Sequence, residues 1–169
     1  WSGGMVAYLN WVDGRSIIDP EKTGNWDGFQ AQSAEFYTDT AANAIYRNYI
    51  KMLINRKNTI SGNQYKVDPA IMAWQLANEP RPAPDAGSSE KSRKAFIIWI
   101  SQTAEYIHSL DSNHLVSSGN EGKGGCRENI DIFTDAHKSR FIDYQTIHIW
   151  PKNWGWHNAK KPETTFVNT

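Results

Sequence analysis

Two short apolar runs separated by a long helical pattern set the strongest limit on the fold. The runs are IMAWQLA (71–77) and HLVSSG (114–119), and between them the apolar residues of 92–110 recur every three or four positions. That period predicts an amphipathic helix, while short apolar runs bounded by turn residues predict buried strands. A strand, a crossover helix and a second strand form a βαβ unit, so we expect a parallel sheet covered by helices.

Further segments continue this alternation. Residues 38–56 predict a helix with Thr38 or Asp39 as its N-cap, 128–138 predict a weaker helix, and 144–150 predict a third strand. The apolar face of the 38–56 helix is expected to consist of Ala42, Ile45, Tyr49 and Leu53. By contrast, residues 1–32 are rich in Gly, Trp, Asp and Asn without clear periodicity, so we expect a long loop there.

The predicted third strand has two different faces. Ile147 and Ile149 would point toward covering helices, whereas Thr146, His148 and Trp150 would point toward an interior. Polar residues also follow the other two strands, and in a (β/α)8 barrel the chemistry lies at the C-terminal ends of the strands. We therefore expect an α/β fold of the (β/α)8 TIM-barrel class. Three strands cannot close a barrel, so residues 1–169 are expected to be one partial barrel domain, truncated at both ends.

Composition argues against several classes of partner and site. Lys plus Arg and Asp plus Glu number 18 each, so the net charge is zero and a nucleic-acid partner, which needs a basic surface, is not expected. The sequence contains no run of about 18 apolar residues that would predict a membrane span. Five histidines without an HxH or HxxxH pair, and a single cysteine, Cys126, predict neither a metal site nor an internal disulfide.

The stretch WQLANEPR (74–81) places Asn78 and Glu79 at the end of the first predicted strand. Pro80 lacks a backbone donor, so the strand ladder should end there. Small alanine side chains share the strand face of Glu79 and leave room above it. A carboxyl group in this place could act as a general acid, or it could be a loop carboxylate paired with Arg81; spacing alone leaves both possibilities open.

Other polar residues are less specific signals. Asn78 either holds a substrate hydroxyl or caps the turn, and His148 either orients a hydroxyl or carboxylate group or is a core histidine. Glu121, in SGNEG, is either the partner of Glu79 in a two-carboxylate hydrolase or a structural carboxylate beneath the site, and we favour the second. Ser117 and Ser118 lack a convincing triad context, and Cys126 lies in a loop with no obvious base nearby, so all three are poor candidates for a nucleophile.

Two blocks of this sequence resemble glycoside hydrolase family 5 and, within it, the endo-β-1,4-mannanases. They are WQLANEPR (74–81) and IDYQTIHIWPKNWGW (142–156); the opening WSGGMVAYLNWV (1–12) resembles the loop after the third barrel strand of those enzymes. The resemblance covers essentially the whole chain and implies that it holds about strands 4 to 6 of the catalytic barrel. NEP alone is shared by many barrel glycosidases, whereas NEP together with DPAIMAW, the following arginine and HIWPKNW is more specific.

The resemblance also implies roles for individual residues. Glu79 would be the acid/base of a retaining endo-glycosidase that hydrolyses β-1,4-mannosidic bonds in mannan, glucomannan or galactomannan. Asn78 would bind the 2-hydroxyl of the sugar being cleaved, and Arg81 would contact the mannose on the aglycone side. His148 would contact the sugar or the catalytic carboxylates. Candidate substrate-binding tryptophans are Trp150, Trp154, Trp1 and Trp156.

Several consequences of the resemblance concern the parts of the enzyme that this chain would lack. The nucleophile of the family is a glutamate at the end of the seventh strand, so the chain would carry the acid/base without the nucleophile, and alone it should be inactive. No metal or organic cofactor is implied. The partner would be a β-mannan polysaccharide or oligosaccharide, and because such a polymer is too large to enter cells, we expect a secreted or periplasmic enzyme.

Three other functions remain open at this point. One is a different family 5 endo-glycanase, such as a β-glucanase or cellulase. Another is a non-catalytic carbohydrate-binding protein that uses its loop tryptophans alone, since clustered loop tryptophans are typical of binding surfaces. The last is a structural or partner-binding barrel without affinity for sugars.

Overall fold

A computed structural model describes residues 3–153 and 155–161 of the chain. Two strands and six α-helices are found within these ranges. In chain order they are α1 (Gly3–Asp13), α2 (Pro20–Thr23), α3 (Trp26–Glu35), α4 (Thr40–Ile54), β1 (Ala73–Gln75), α5 (Glu90–Leu110), β2 (Leu115–Ser117) and α6 (Ile130–Ala136). Single 3₁₀ turns occupy Tyr65–Val67 and Lys123–Cys126.

The predicted βαβ unit is confirmed. Strands β1 and β2 pair in parallel with Trp74 opposite Val116, and α5 is the crossover between them. Helix α5 begins after Ser89, whose side chain accepts the N–H of Ser92. Five positions of the face expected from its periodicity are buried, namely Phe96, Trp99, Ile100, Thr103 and Ile107. Ala104 is buried as well.

Helix α4 begins at the predicted N-cap but buries a different face from the one expected. The Asp39 side chain accepts the N–H of Ala42 at 2.8 Å. Ala42, Ile50 and Ile54 are buried, whereas Ile45 and Tyr49 are exposed. The core therefore selects positions spaced by four, and the apolar Ile45 and Tyr49 misdirected the prediction because apolar residues are also common on surfaces.

The long loop predicted for residues 1–32 is wrong, because this segment forms α1, α2 and α3. The two later helices are defined by their caps: Asp19 accepts N–H groups in the first turn of α2, and Asn25 accepts the N–H of Gly28 in α3. Helix α1 is fixed by burial of Met5, Val6 and Leu9 in the core. Helices this short are stabilised by capping and tertiary contacts rather than by periodicity, so the sequence pattern was weak.

The predicted third strand is also wrong, although residues 144–150 lie beside β2. The N–H of Asp143 donates to Val116 O at 2.9 Å, and the N–H of His148 donates to Glu121 O at 3.2 Å. Between these two bonds the segment forms no ladder, and the Asp143 side chain itself accepts the N–H of Val116 at 2.7 Å. Ile147 is 64% exposed, so the face expected to pack on helices is not covered by the described residues.

An aromatic cluster fills the core between α4, α5 and the segment that follows α3. Tyr37 lies 5.4 Å from Phe96 and 5.0 Å from Trp99, measured between ring centroids, and Phe36 lies 5.6 Å from Tyr46. Such tilted and edge-to-face pairs add to the stabilisation from buried area. No helix within 3–153 and 155–161 combines the length and apolar character that a membrane span requires.

Candidate active site

A cleft of about 540 Å³ lies beyond the C-terminal ends of β1 and β2. Five residues predicted from the sequence line it together: Asn78, Glu79, Arg81, His148 and Trp150. Glu121, Ile149 and Asn153 complete the lining. Trp156 lines an adjoining cavity of about 520 Å³, while Trp1 and Trp154 lie outside the described residues.

Glu79 and His148 form the polar centre of the cleft. Glu79 Oε1 lies 2.7 Å from His148 Nδ1, and the two side chains are only 18% and 22% exposed. This contact joins residues 69 positions apart in the chain. When Glu79 is ionised, the Nδ1–H of the imidazole donates to the carboxylate and fixes its orientation.

The backbone at Glu79 adopts a left-handed conformation, with φ at 54°. Its N–H donates to Gly119 O at 2.9 Å, two residues beyond the end of β2. A positive φ is uncommon for a residue with a side chain and is found preferentially at functional sites. Glu79 therefore departs from simple strand alternation, and its side chain is directed by a local change in the backbone.

Four polar side chains hold the main chain that carries Glu79, and we call them the carbonyl clamp. Each donates to a different backbone carbonyl between residues 76 and 82. They are Tyr46 to Leu76, Asn120 to Pro80 (2.9 Å), Tyr37 to Arg81 (2.6 Å) and Gln30 to Pro82 (2.6 Å). None of these four hydrogen bonds was predicted from the sequence. The one indication in the sequence is that each of the four polar residues lies in a segment that also carries core residues.

Tyr37→Phe is expected to remove one of these bonds and lower the free energy of unfolding by about 1 kcal/mol, because the partly buried Arg81 carbonyl loses its donor. The hydroxyl of Tyr37 is buried, and this burial raises its pKa above the ordinary value, so it remains a proton donor at neutral pH. Thermal unfolding measures the loss. Tyr49→Phe is the matched control, since Tyr49 is 48% exposed on α4, and an equal loss in both variants would contradict the role of Tyr37.

Arg81 contacts a second carboxylate rather than lying free in the cleft. Its Nη2 is 2.5 Å from Glu121 Oε1, and the Glu121 side chain is only 6% exposed. Burial raises the pKa of Glu121, the opposing charge of Arg81 lowers it, and the net effect is a raised pKa. Gly125 makes room for this carboxylate, since a Cβ there would lie 2.7 Å from Glu121 Cγ. The contact with Arg81 agrees with a structural carboxylate, but Glu121 lies in the lining of the cleft and not beneath it.

Glu121→Gln is expected to raise the unfolding temperature at neutral pH. The pKa of Glu121 is raised in the folded state, so the fold favours the protonated carboxyl group. Its contribution to stability is complete below the unfolded-state pKa of about 4.5 and is lost as the pH rises through the folded-state pKa. The glutamine does not titrate, so the advantage of the variant should grow as the pH rises above about 4.5 and become constant once the pH exceeds the raised folded-state pKa. Thermal unfolding across this range tests it, and an advantage that is constant with pH would contradict the explanation.

A serine–histidine pair lies apart from the cleft and is structural. Ser118 Oγ is 2.8 Å from His137 Nε2, and both residues are buried. His137 Nδ1 donates to Phe133 O at 2.7 Å, so Nε2 of the neutral ring accepts the hydrogen bond from the Ser118 hydroxyl. Burial lowers the pKa of His137. Among the described residues, no group of three His, Cys, Asp or Glu side chains could hold a metal ion.

A family model described as glycoside hydrolase family 5 β-mannosidase-like matches residues 1–169. The chain belongs to glycoside hydrolase family 5. Among relatives of this family 5 chain, mannan endo-1,4-β-mannosidase 1 of Arabidopsis thaliana is 36% identical over 165 residues, which cover 90% of this chain and 35% of that protein.

Solved structures of family 5 enzymes resemble the described fold. The family 5 mannosidase from Rhizomucor miehei has a TM-score of 0.77 at 35% identity, covering 97% of this chain and 37% of that one. The endo-β-1,4-mannanase from Thermotoga petrophila has a TM-score of 0.68 at 27% identity, covering 89% and 31%. Family 5 mannanases are TIM-barrel enzymes, and this chain spans about a third of the length of the relatives it matches.

Proposed function

We propose that this chain is part of a retaining endo-β-1,4-mannanase that acts on mannan, glucomannan or galactomannan. The observation that carries the proposal is the Glu79–His148 pair, 2.7 Å apart in a cleft at the ends of parallel strands of a family 5 chain. The names of the relatives support it. They include mannan endo-1,4-β-mannosidases, and one family 5 mannosidase structure contains mannosyl-fructose.

Glu79 has the chemistry of a general acid/base in this reaction. In the first step its carboxyl proton passes to the glycosidic oxygen as the bond between that oxygen and the anomeric carbon breaks. In the second step the carboxylate removes a proton from the water that attacks the glycosyl–enzyme. The contact with His148 Nδ1 keeps the carboxylate in one orientation through both steps.

The other residues in the cleft are proposed to bind sugar. Asn78 would donate to the 2-hydroxyl beside the bond that breaks, and Arg81, held by Glu121, would contact the sugar on the aglycone side. Trp150 is 54% exposed in the cleft and offers an apolar surface with an N–H donor. Trp1, Trp154 and Trp156 are proposed as further stacking surfaces for pyranose rings.

The remaining parts of the enzyme are proposed to lie outside this chain. Retention requires a nucleophilic carboxylate about 5–5.5 Å from the acid/base, and we place it on a later strand of the complete barrel. The chain covers only 35% of the Arabidopsis relative, which supports its being a partial barrel. The isolated chain should then show no turnover, and an enzyme that degrades a polymer would be secreted.

The test compares hydrolysis of mannan and carboxymethyl-cellulose by the full-length protein. We expect faster release of reducing ends from mannan, with the β-anomer as the first product by proton NMR, as retention requires. Faster cleavage of carboxymethyl-cellulose would favour the β-glucanase alternative. Binding of mannan without hydrolysis would favour a non-catalytic carbohydrate-binding protein, and first release of the α-anomer would contradict a retaining mechanism.

A further inference from the structure

The hydrogen bonds between β1 and β2 lose their register immediately before Glu79. The N–H of Leu76 donates to Ser117 O at 3.0 Å, so a regular parallel ladder would next join Asn78 to Gly119 O. Instead, the N–H of Ala77 donates to Ser118 O at 3.4 Å, and Gly119 O accepts the N–H of Glu79 at 2.9 Å. The chain that follows β1 therefore contains one extra residue relative to the chain that follows β2, which is an arrangement of the β-bulge type.

Gly119 makes this bulge possible. Its φ is 72°, and a Cβ built on it would lie 1.9 Å from Ala77 O. The offending atom is backbone, so no side-chain rotation relieves the clash. The carbonyl of Ala77 occupies the volume that any other residue at position 119 would fill, and only glycine combines that space with a left-handed backbone.

We infer that Gly119 is a positioning residue for Glu79, an inference that rests on the proposed function. Because Gly119 has no Cβ, the Ala77 carbonyl can lie against it, and the chain after β1 has room for one extra residue. The Gly119 carbonyl then accepts the N–H of Glu79, whose φ is 54°. This conformation turns the Glu79 carboxylate toward His148 Nδ1, 2.7 Å away. Bulges next to active sites re-aim side chains in this manner.

The first experiment uses Gly119→Ala in the full-length protein with two kinds of substrate. The first substrate is a mannan oligosaccharide, whose leaving group is a sugar alkoxide that must be protonated. The second is a dinitrophenyl β-mannoside, whose leaving group, dinitrophenolate, departs with the bonding electron pair and needs no proton. We expect kcat/KM to fall about 100-fold for the oligosaccharide, because an acid displaced by about 1 Å fails to protonate it. For the dinitrophenyl substrate we expect a change of less than about 3-fold.

The control variant is Gly62→Ala. Gly62 has a similar φ of 76°, but a Cβ there meets only Lys57 Cε, at 3.9 Å. Gly62→Ala should leave kcat/KM unchanged for both substrates, since it introduces the same backbone strain in a turn that does not line the cleft. Equal losses on both substrates in Gly119→Ala would show general damage to the fold and overturn the inference.

A second experiment needs no substitution at Gly119 and stands even where that variant does not fold. If the bulge forces residue 79 into the left-handed region, Glu79→Gly should unfold at a higher temperature than Glu79→Ala, because glycine alone adopts this conformation without strain. An alanine variant as stable as the glycine variant would overturn the inference.

These outcomes separate this inference from the function on which it rests. If the unmodified protein hydrolyses no mannoside, or Glu79→Gln affects both substrates equally, the proposed function fails. If Glu79→Gln shows the dependence on leaving group and Gly119→Ala does not, only the positioning role of Gly119 fails.

Discussion

Glu79→Gln is expected to lower kcat/KM for mannan by about 100-fold or more in the full-length protein, since positioned general acids typically contribute 10² to 10⁴. Glutamine has nearly the same shape as glutamate, and its amide oxygen still accepts a hydrogen bond from His148 Nδ1, which lies 2.7 Å from the Glu79 carboxylate. The variant therefore removes the transferable proton while keeping the contact. Initial rates on mannan measure the loss.

The control for this prediction is Glu105→Gln, an exposed glutamate on α5 that is far from Glu79 in sequence and absent from the lining of the cleft. It should retain full activity. Thermal unfolding of both variants should match that of the unmodified protein. Undiminished activity in Glu79→Gln would rule out its role as the general acid and would favour a binding surface in this cleft.

Asp111→Asn is expected to lower the free energy of unfolding by about 3–5 kcal/mol, the usual cost of breaking a buried ion pair by removing one partner. The Asp111 side chain is 0% exposed and its Oδ2 lies 2.7 Å from Nδ1 of His114, which is 6% exposed. The same oxygen accepts Trp74 Nε1–H at 2.7 Å, and Oδ1 accepts the N–H of Asn113 at 2.8 Å. This carboxylate therefore joins β1, the end of α5 and the start of β2.

The charge on His114 makes the substitution costly. Its Nε2 lies 3.1 Å from the carbonyl oxygen of Asp68 and its Nδ1 faces Asp111, so both ring nitrogens meet acceptors. Burial by itself lowers the pKa of His114, but these two bonds outweigh it and the net pKa is raised. With asparagine at position 111, a buried imidazolium would lose its counter-charge.

The dependence of this stabilisation on pH follows from the two shifts. The pKa of Asp111 is lowered because its hydrogen bonds outweigh its burial, so its contribution is lost as pH falls below about 4. The contribution of His114 is lost as pH rises through its raised folded pKa, above about 6.5. Stability of the unmodified protein relative to Asp111→Asn should therefore be greatest between these limits, as measured by urea unfolding.

An exposed aspartate provides the comparison for this second prediction. Asp131 lies in the first turn of α6, and Asp131→Asn should cost no more than about 1 kcal/mol through the helix dipole. A loss in Asp111→Asn that is as small as this would contradict a charged Asp111–His114 pair.

The sequence predicts elements well where local pattern and tertiary packing agree. Helix α5 buries Phe96, Ile100 and Ile107 as its periodicity requires, and its two flanking runs pair as parallel strands. It fails where caps or distant contacts decide. Helices α2 and α3 depend on Asp19 and Asn25 more than on an apolar stripe. Residues 143–150 form only two backbone bonds to β2 and the segment after it, from Asp143 to Val116 and from His148 to Glu121.

The same distinction applies to the cleft. The polar residues after the first predicted strand and within 144–150 were enough to name Glu79 and His148 as members of one candidate site, and both line the cleft. For His148 the reason differs from the expected one, because 144–150 is not a strand and is held beside the chain that follows β2 by the bond from the His148 N–H to Glu121 O. The left-handed backbone of Glu79 was not predictable, since it arises from a clash-free approach of Ala77 O to Gly119, 42 positions later. Tyr37 and Gln30 contact carbonyls more than 40 residues away, which no local pattern encodes.

The carbonyl clamp has a consequence for the energetics of substrate binding. Side chains from α3, α4 and the segments after α3 and β2 already hold residues 76–82. This stretch would therefore not have to become ordered on binding of the proposed saccharide substrate. The entropy of ordering is lost during folding, so less of the free energy of association is consumed in fixing the loop. Sequence changes in the helical layer, at positions that never meet a sugar, should therefore alter turnover by loosening this stretch.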